Sequence, residues 1–263
     1  MVYYPLAVLL GAGVREVLII TTPRDRAQFE QLLGDGSQFG ASLAYATQDS
    51  PRGIPEALAI GRGFTGNQRV ALILGDNLFH GDEVRTALTA ARDGEGVHIL
   101  ACQVPNPEHF GVVEFGEGSR AIVITEKPTN GRSRWAIPGL YVFPARAWTR
   151  VRSLTTSHRG ELEITELLRH YAERRALTVH RLSRRTKWLD TGTPASLMAA
   201  SRFVARVQRR DGVPVGSPEY AATLAGSVKR TAMLGQLRMR QGEYASFVTN
   251  ALRRVRAARP GRA

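Results

Sequence analysis

The 263-residue chain has one cysteine, Cys102, and so excludes an intrachain disulfide and any thiolate zinc cluster. Long apolar runs are also missing. The longest, Leu6 to Val14 and Val70 to Leu74, fall far short of the ~20 residues a membrane-spanning helix needs, and no membrane partner is expected. The opening, Met1 to Gly13, is apolar but lacks the basic leader and small-residue cleavage site of a signal peptide, so the expected location is the cytoplasm. Lysine is scarce: Lys127, Lys187 and Lys229 stand against 33 arginines, which makes each lysine position informative. Acid is scarce at one end only. Residues 201 to 263 carry 13 Lys plus Arg against Asp211, Glu219 and Glu243, a net of +10, whereas residues 1 to 200 carry 23 against 20.

The net charge of +13 therefore belongs to the C-terminal segment, which ends in Arg253, Arg254, Arg256, Arg259 and Arg262. That segment has neither interleaved aromatics nor a recognisable module, and no nucleic-acid partner is expected. A solvated face with a frayed tail explains the charge, as does an anion-binding or subunit-contact surface. With 43% hydrophobic and 22% charged residues, the chain is globular and can bury a core. Its length suits one main domain, residues 1–200, followed by a smaller helical, Arg-rich segment, residues 201–263.

Apolar β-branched runs alternate with helical patterns, the sign of an α/β sheet with crossover helices. Leu6 to Leu10 reads as a helix, Val17 to Thr21 as a strand, Pro23 to Leu33 as a helix, and Leu43 to Thr47 as a strand. Ile54 to Gly63 (helix), Val70 to Leu74 (strand), Asp82 to Arg92 (helix) and Val97 to Val104 (strand) follow. Beyond Val104 the pattern changes to short strands at Phe110 to Phe115, Ala121 to Glu126 and Leu140 to Phe143, an antiparallel extension. Helices are expected at Arg146 to Leu154, Glu161 to Arg174 and Pro194 to Gln208, with a strand at Ala176 to Leu182. The expected fold class is α/β: a doubly wound, mostly parallel sheet with an antiparallel extension and a helical C-terminal segment, its first strand missing because the chain opens on a helix.

Four segments place polar clusters where open α/β sheets bind ligands. In Leu74-Gly75-Asp76-Asn77 an aspartate directly after a strand can hold a divalent cation, and an Asx turn explains it equally. In Trp188 to Thr193, Asp190 and Thr193 precede a helix and can cap it. Taken together, Asp76 and Asp190 can supply the two carboxylates of a metal site that bridges substrate phosphates. Glu126-Lys127-Pro128 puts one of the three lysines at a strand end, a compact charge for a phosphate beside a carboxylate that can accept from sugar hydroxyls. Arg159 to Thr165 opens a helix with acids in its first turn.

Together with Leu33 to Ser37 and Phe110 to Phe115, these segments stand in the order of one family. The chain resembles the glucose-1-phosphate thymidylyltransferases, from Tyr3 to about Asn250. The resemblance implies transfer from dTTP to glucose 1-phosphate, with pyrophosphate leaving. It implies Mg²⁺ held by Asp76 and Asp190, Lys127 and Arg159 facing the sugar phosphate, and glucose held by Glu126 and the backbone at Gly111 and Gly139. Gln48 and Gly53 match residues that read the thymine base. A homo-oligomer is expected, since members commonly form tetramers. The resemblance also implies a preceding strand and a Gly-rich loop around the triphosphate, which Met1 to Leu6 do not match. The chain as written is expected to turn over little, the alternative being a non-catalytic homologue that keeps sugar-nucleotide binding or subunit-contact surfaces. Glu56 stands where many members carry glutamine, and Phe110 where many carry tyrosine.

Overall fold

The computed structural model describes residues 1–116, 121–129 and 131–255. Arg256, Arg259 and Arg262 of the basic end lie outside the described residues. The chain opens with α1 (Tyr3–Gly11), where Pro5 sits in the first turn and its missing N–H costs no helical bond. Then come β1 (Glu16–Thr21), α2 (Arg26–Leu33), β2 (Ser42–Thr47), and the short helices α3 (Glu56–Ile60) and α4 (Arg62–Thr65). The single helix expected over Ile54 to Gly63 is thus two, divided at Gly61. β3 (Val70–Ile73), β4 (Asn77–His80), α5 (Asp82–Asp93), β5 (Val97–Gln103), β6 (Gly111–Phe115) and β7 (Ala121–Glu126) follow. Next are β8 (Trp135–Ala136), β9 (Leu140–Phe143), α6 (Trp148–Val151), α7 (Ile164–Glu173), β10 (Leu177–Arg181) and β11 (Lys187–Asp190). The chain closes with α8 (Pro194–Asp211), α9 (Pro218–Leu224), α10 (Arg230–Arg238) and α11 (Glu243–Arg254).

A seven-stranded sheet runs in the order β3-β9-β5-β8-β6-β7, with β10 also paired to β5. β10 lies parallel to β5, while β9 enters antiparallel to both β3 and β5, so the antiparallel strands are woven into the sheet as well as extending it. β5 is buried along six of its seven residues, as expected of a run covered on both faces. Its core partners include Phe143 on β9 and Leu167 and Leu168 on α7, none with exposed surface.

β1 and β2 form a separate parallel pair. β1 and β3 each keep one edge without a strand partner among the described residues, and both line a groove of about 960 Å³ that Leu6 and Leu9 of α1 also border. Neither β4 nor β11 is visible as a strand in the sequence pattern, because each (NLFH and KWLD) has only two apolar residues between polar ends. They pair antiparallel with Asn77 opposite Asp190. α8 carries the expected cap, in which Thr193 and Ser196 form a reciprocal capping box. It runs across residue 200, and the helical segment beyond packs Ala222 of α9 into the same cluster as Leu6, Leu9 and Leu10 of α1.

Candidate active site

The β4–β11 ladder sets the distance between the two aspartates. Asp76 immediately precedes β4, and its carbonyl accepts from the Thr191 amide (3.0 Å) and hydroxyl (2.7 Å) just past β11. Between them lies Gly192, where an added Cβ would sit 3.1 Å from Asp190 Oδ1 and 3.6 Å from Asp76 Oδ2. Both carboxylates therefore face one small space that a side chain would fill and a glycine leaves open. Hard oxygen donors around an open space suit Mg²⁺, which takes few protein carboxylates and keeps water and substrate phosphate oxygens for the rest. No group of three or more His, Cys, Asp or Glu gathers for a metal among the described residues, so any cation held here depends on such outside ligands. Asp190 Oδ1 accepts from the Gly192 amide at 2.8 Å, while the cap of α8 belongs to Thr193.

Beside the aspartates is a cavity of about 210 Å³ lined by Gly111, Glu126, Lys127, Gly139, Arg159 and Asp190, all chosen from the sequence. Phe110 and Trp188 close part of its wall as a T-shaped pair, 4.9 Å between centroids. The glycines keep it open. A Cβ on Gly111 would sit 2.7 Å from Thr165 Cγ2 and 3.3 Å from Glu126 Oε2, and one on Gly139 would strike Leu74. Gly139 gives its amide to Asn77 Oδ1 (3.0 Å), and its carbonyl accepts from the Leu74 amide. What it offers a ligand is space and the carbonyl's second lone pair.

Arg159 is held in a charge cluster. Its guanidinium donates to Glu163 at 2.7 and 2.8 Å through Nη2 and reaches Glu126 at 3.4 Å. The helix expected from Glu161 begins instead at Ile164, with Glu163 at its N-cap, which leaves Glu161 and Glu163 in the loop facing the cavity. Burial, and then the nearby Glu163 charge, push the Glu126 carboxyl above its ordinary value; the Thr165 hydroxyl, donating at 3.2 Å, counters part of that. Glu163 moves the opposite way: burial would raise it, but hydrogen bonds from Arg159 and Ser157 bring it down. Lys127, in a left-handed backbone conformation (φ 41°), makes no salt bridge among the described residues and is the cation left over in this cluster.

Gln48 and Gly53 lie elsewhere, on the β1–β3 groove, which shares Ile54, Leu74 and Glu161 with the smaller cavity. Gly53 has φ +106°, and a Cβ there would collide with the Leu162 backbone; the Leu162 amide in turn donates to the Arg52 carbonyl at 2.9 Å, joining this loop to the one ahead of α7. The geometry also shows residues that the sequence motifs contained without a role. Asn77, 1% exposed, donates to Asp76 Oδ1 (2.8 Å) and accepts from Gly139 N and from Trp188 Nε1 (2.6 Å), linking the Asp76 carboxylate, the cavity wall at Gly139 and β11.

The Nucleotidyl transferase family model matches residues 1–207. The chain belongs to the nucleotidyl transferase family. Within it, the chain is 44% identical to the glucose-1-phosphate thymidylyltransferase of Neisseria meningitidis over 256 residues, covering 97% of this chain and 89% of the relative. It is 46% identical to the enzyme of the same name from Mycolicibacterium smegmatis over 228 residues, 87% of this chain and 79% of the relative. A solved Bacillus anthracis structure described as a glucose-1-phosphate thymidylyltransferase, in complex with a sucrose, superposes with a TM-score of 0.70 at 34% identity, covering 77% of this chain and 81% of that one. A UDP-glucose pyrophosphorylase, 20% identical with a TM-score of 0.67, shares the fold. Membership of the nucleotidyl transferase family accounts for the α/β sheet and for the rim position of the polar segments. No described helix is long and apolar enough to cross a membrane.

Proposed function

We propose that this chain forms dTDP-glucose from dTTP and glucose 1-phosphate in the cytoplasm, with Mg²⁺. The observation that supports it best is the meeting of Asp76 and Asp190 over Gly192, next to a cavity lined by the Glu126 carboxylate, which keeps lone pairs for hydroxyls beyond its bonds to Thr165 and Arg159, and by Lys127, which makes no salt bridge among the described residues. A phosphate oxygen of the sugar phosphate attacks the α-phosphorus of dTTP. The bond from that phosphorus to the bridging oxygen breaks, and pyrophosphate leaves with its electron pair. Bound Mg²⁺ would neutralise phosphate charge between the carboxylates of Asp76 and Asp190.

The chain's residues do the positioning. Glu126 accepts from glucose hydroxyls while Gly111 and Gly139 give the ring room. Lys127 meets the sugar phosphate. Arg159, anchored to Glu163, presents its remaining N–H groups to the same phosphate, and its charge keeps Glu126 usable as an acceptor. Gln48 and Gly53 face the base across the groove. Fixed charges of this kind lower the barrier because they need no reorganisation when charge moves. A homo-oligomer is part of the proposal, supported by the exposed Leu197 and Met198 on α8.

Two measurements test the reading: calorimetric binding of dTDP-glucose with Mg²⁺, and chromatographic detection of dTDP-glucose formed from dTTP and glucose 1-phosphate. Binding with product supports it, and loss of product in Asp76→Asn ties it to this site. Binding without product supports the non-catalytic alternative. Neither binding nor product refutes both.

A further inference from the structure

Gln48 follows β2, and its backbone amide donates to the Thr21 carbonyl at the end of β1 (2.9 Å), so its Cα is fixed by both strands. Its side-chain amide nitrogen donates to Glu56 Oε2 at 2.6 Å and approaches the Gly53 carbonyl at 3.4 Å. Glu56 opens α3, and its other oxygen accepts from Arg52 Nε at 3.0 Å. Its side chain is 15% exposed. A carboxylate and a backbone carbonyl are acceptors only, and a carboxamide has one donor end and one acceptor end. Both protein neighbours thus claim the NH₂ end. The carbonyl, Gln48 Oε1, is left for whatever enters the groove that Gln48 lines.

We propose that Glu56 is a positioning residue: its carboxylate locks the Gln48 amide so that a carbonyl, never an N–H, meets the nucleotide base. This selects bases with a ring imide N–H, as in thymine and uracil, over cytosine, whose ring nitrogen at the same position is an acceptor. Arg52 completes the device by holding the other oxygen of Glu56, Oε1, leaving Oε2 to Gln48. The inference rests on the reading above that Gln48 faces the base.

The test is calorimetric binding of dUDP and dCDP with Mg²⁺, a pair that differs only at ring positions 3 and 4. It is run on the wild-type chain and on Gln48→Ala, Glu56→Ala and Glu56→Gln, with melting temperatures as the check on folding. The wild type is expected to prefer dUDP at least tenfold. Gln48→Ala should abolish that ratio. Glu56→Ala should lower it about tenfold by weakening dUDP and strengthening dCDP, because the freed amide can rotate. Glu56→Gln, which keeps one acceptor for Gln48, should retain part of it. A role confined to stability would weaken both ligands together and leave the ratio alone. An unchanged ratio in both Glu56 variants, with Gln48→Ala still losing it, overturns the inference alone. An unchanged ratio in Gln48→Ala, or a wild type that does not discriminate, overturns the reading of Gln48 as well. If Glu56→Ala fails to fold, Glu56→Gln decides.

Discussion

Asn77→Ala separates the scaffold of the site from its chemistry. Truncation deprives two donors of their acceptor, the amide of buried Gly139 and the half-buried Trp188 Nε1, and takes from Asp76 the one side-chain donor to its carboxylate among the described residues. An unsatisfied buried donor costs ~1–3 kcal/mol. A water entering the space left by the side chain recovers part of that, which puts the loss at about 3 kcal/mol. For a chain of this size, ~2–4 °C of melting temperature per kcal/mol converts it to a fall of about 6–12 °C. Asn77→Asp is the paired control. It keeps an acceptor for Gly139 and Trp188 but points an oxygen at Asp76 Oδ1, 2.8 Å from where the amide nitrogen now sits. Its melting temperature should stay above that of Asn77→Ala when Mg²⁺ is present and approach it when the metal is chelated, because a cation between like charges offsets their repulsion. Thermal denaturation with and without chelator reads both. A melting temperature of Asn77→Ala within 2 °C of wild type would show that these donors find other partners and that Asn77 does not hold the two halves together.

Asp76→Asn and Asp190→Asn should each abolish Mg²⁺-dependent formation of dTDP-glucose while leaving the fold intact by circular dichroism; an unchanged rate in either removes that residue from the metal proposal. Glu126→Gln should weaken glucose 1-phosphate binding severalfold. It should also shift the pH dependence of stability. A carboxyl raised by burial binds its proton more tightly folded than unfolded, so its contribution is most favourable at low pH and declines as pH rises through the folded value. The melting temperature of the variant relative to wild type should therefore climb between pH 4 and pH 7, and a flat difference contradicts the assignment. Gly53→Ala sets a Cβ against the Leu162 backbone at a positive φ. It should cost more than 10-fold in nucleotide affinity by displacing the Gln48–Glu56 loop, and calorimetry showing wild-type affinity would count against that loop's role.

What was legible in the sequence follows from the range of the interactions involved. Alternating β-branched runs and helical periods place the β1–β2 pair, β5 and α7 within a few residues, because each is long enough to carry its own pattern. β4, β8 and β11 are not legible: unlike the equally short but wholly apolar β3 and β9, NLFH, WA and KWLD carry no apolar run longer than two residues, and their extended form comes from partners far away in the chain. Glu126 and Lys127 stand out as residue types at a strand end and Arg159 as the opening of an acid-rich helix start, and all three line one cavity, but the sequence carries no sign that Glu163 holds Arg159. The helix begins only at Ile164, and the acid-rich run Glu161 to Glu166 gives no marker for that boundary. Asn77 carries no mark of its own within its motif, because an asparagine bonded to its neighbour Asp76 and to the distant Gly139 and Trp188 looks the same in a sequence as one exposed in a turn.

The charge balance of the cavity bears on how a sugar phosphate would be oriented in it. Arg159 carries one positive charge against the carboxylates of Glu126 and Glu163, so that trio is acidic overall and favours hydroxyl donors, and only the remaining N–H groups of Arg159 suit a phosphate. Asp190 in the same lining and Asp76 close to it add further negative charge, which the proposed Mg²⁺ would offset. Lys127 stands at the end of β7, on the rim of the same cavity and unpaired. On the function proposed above, a sugar phosphate has one favourable orientation, hydroxyls toward Glu126 and phosphate toward Lys127, Arg159 and a cation held by the aspartates. The same arithmetic makes metal and sugar phosphate mutually dependent: each removes repulsion that the other would meet, so Mg²⁺ should tighten glucose 1-phosphate binding and be tightened by it to the same factor.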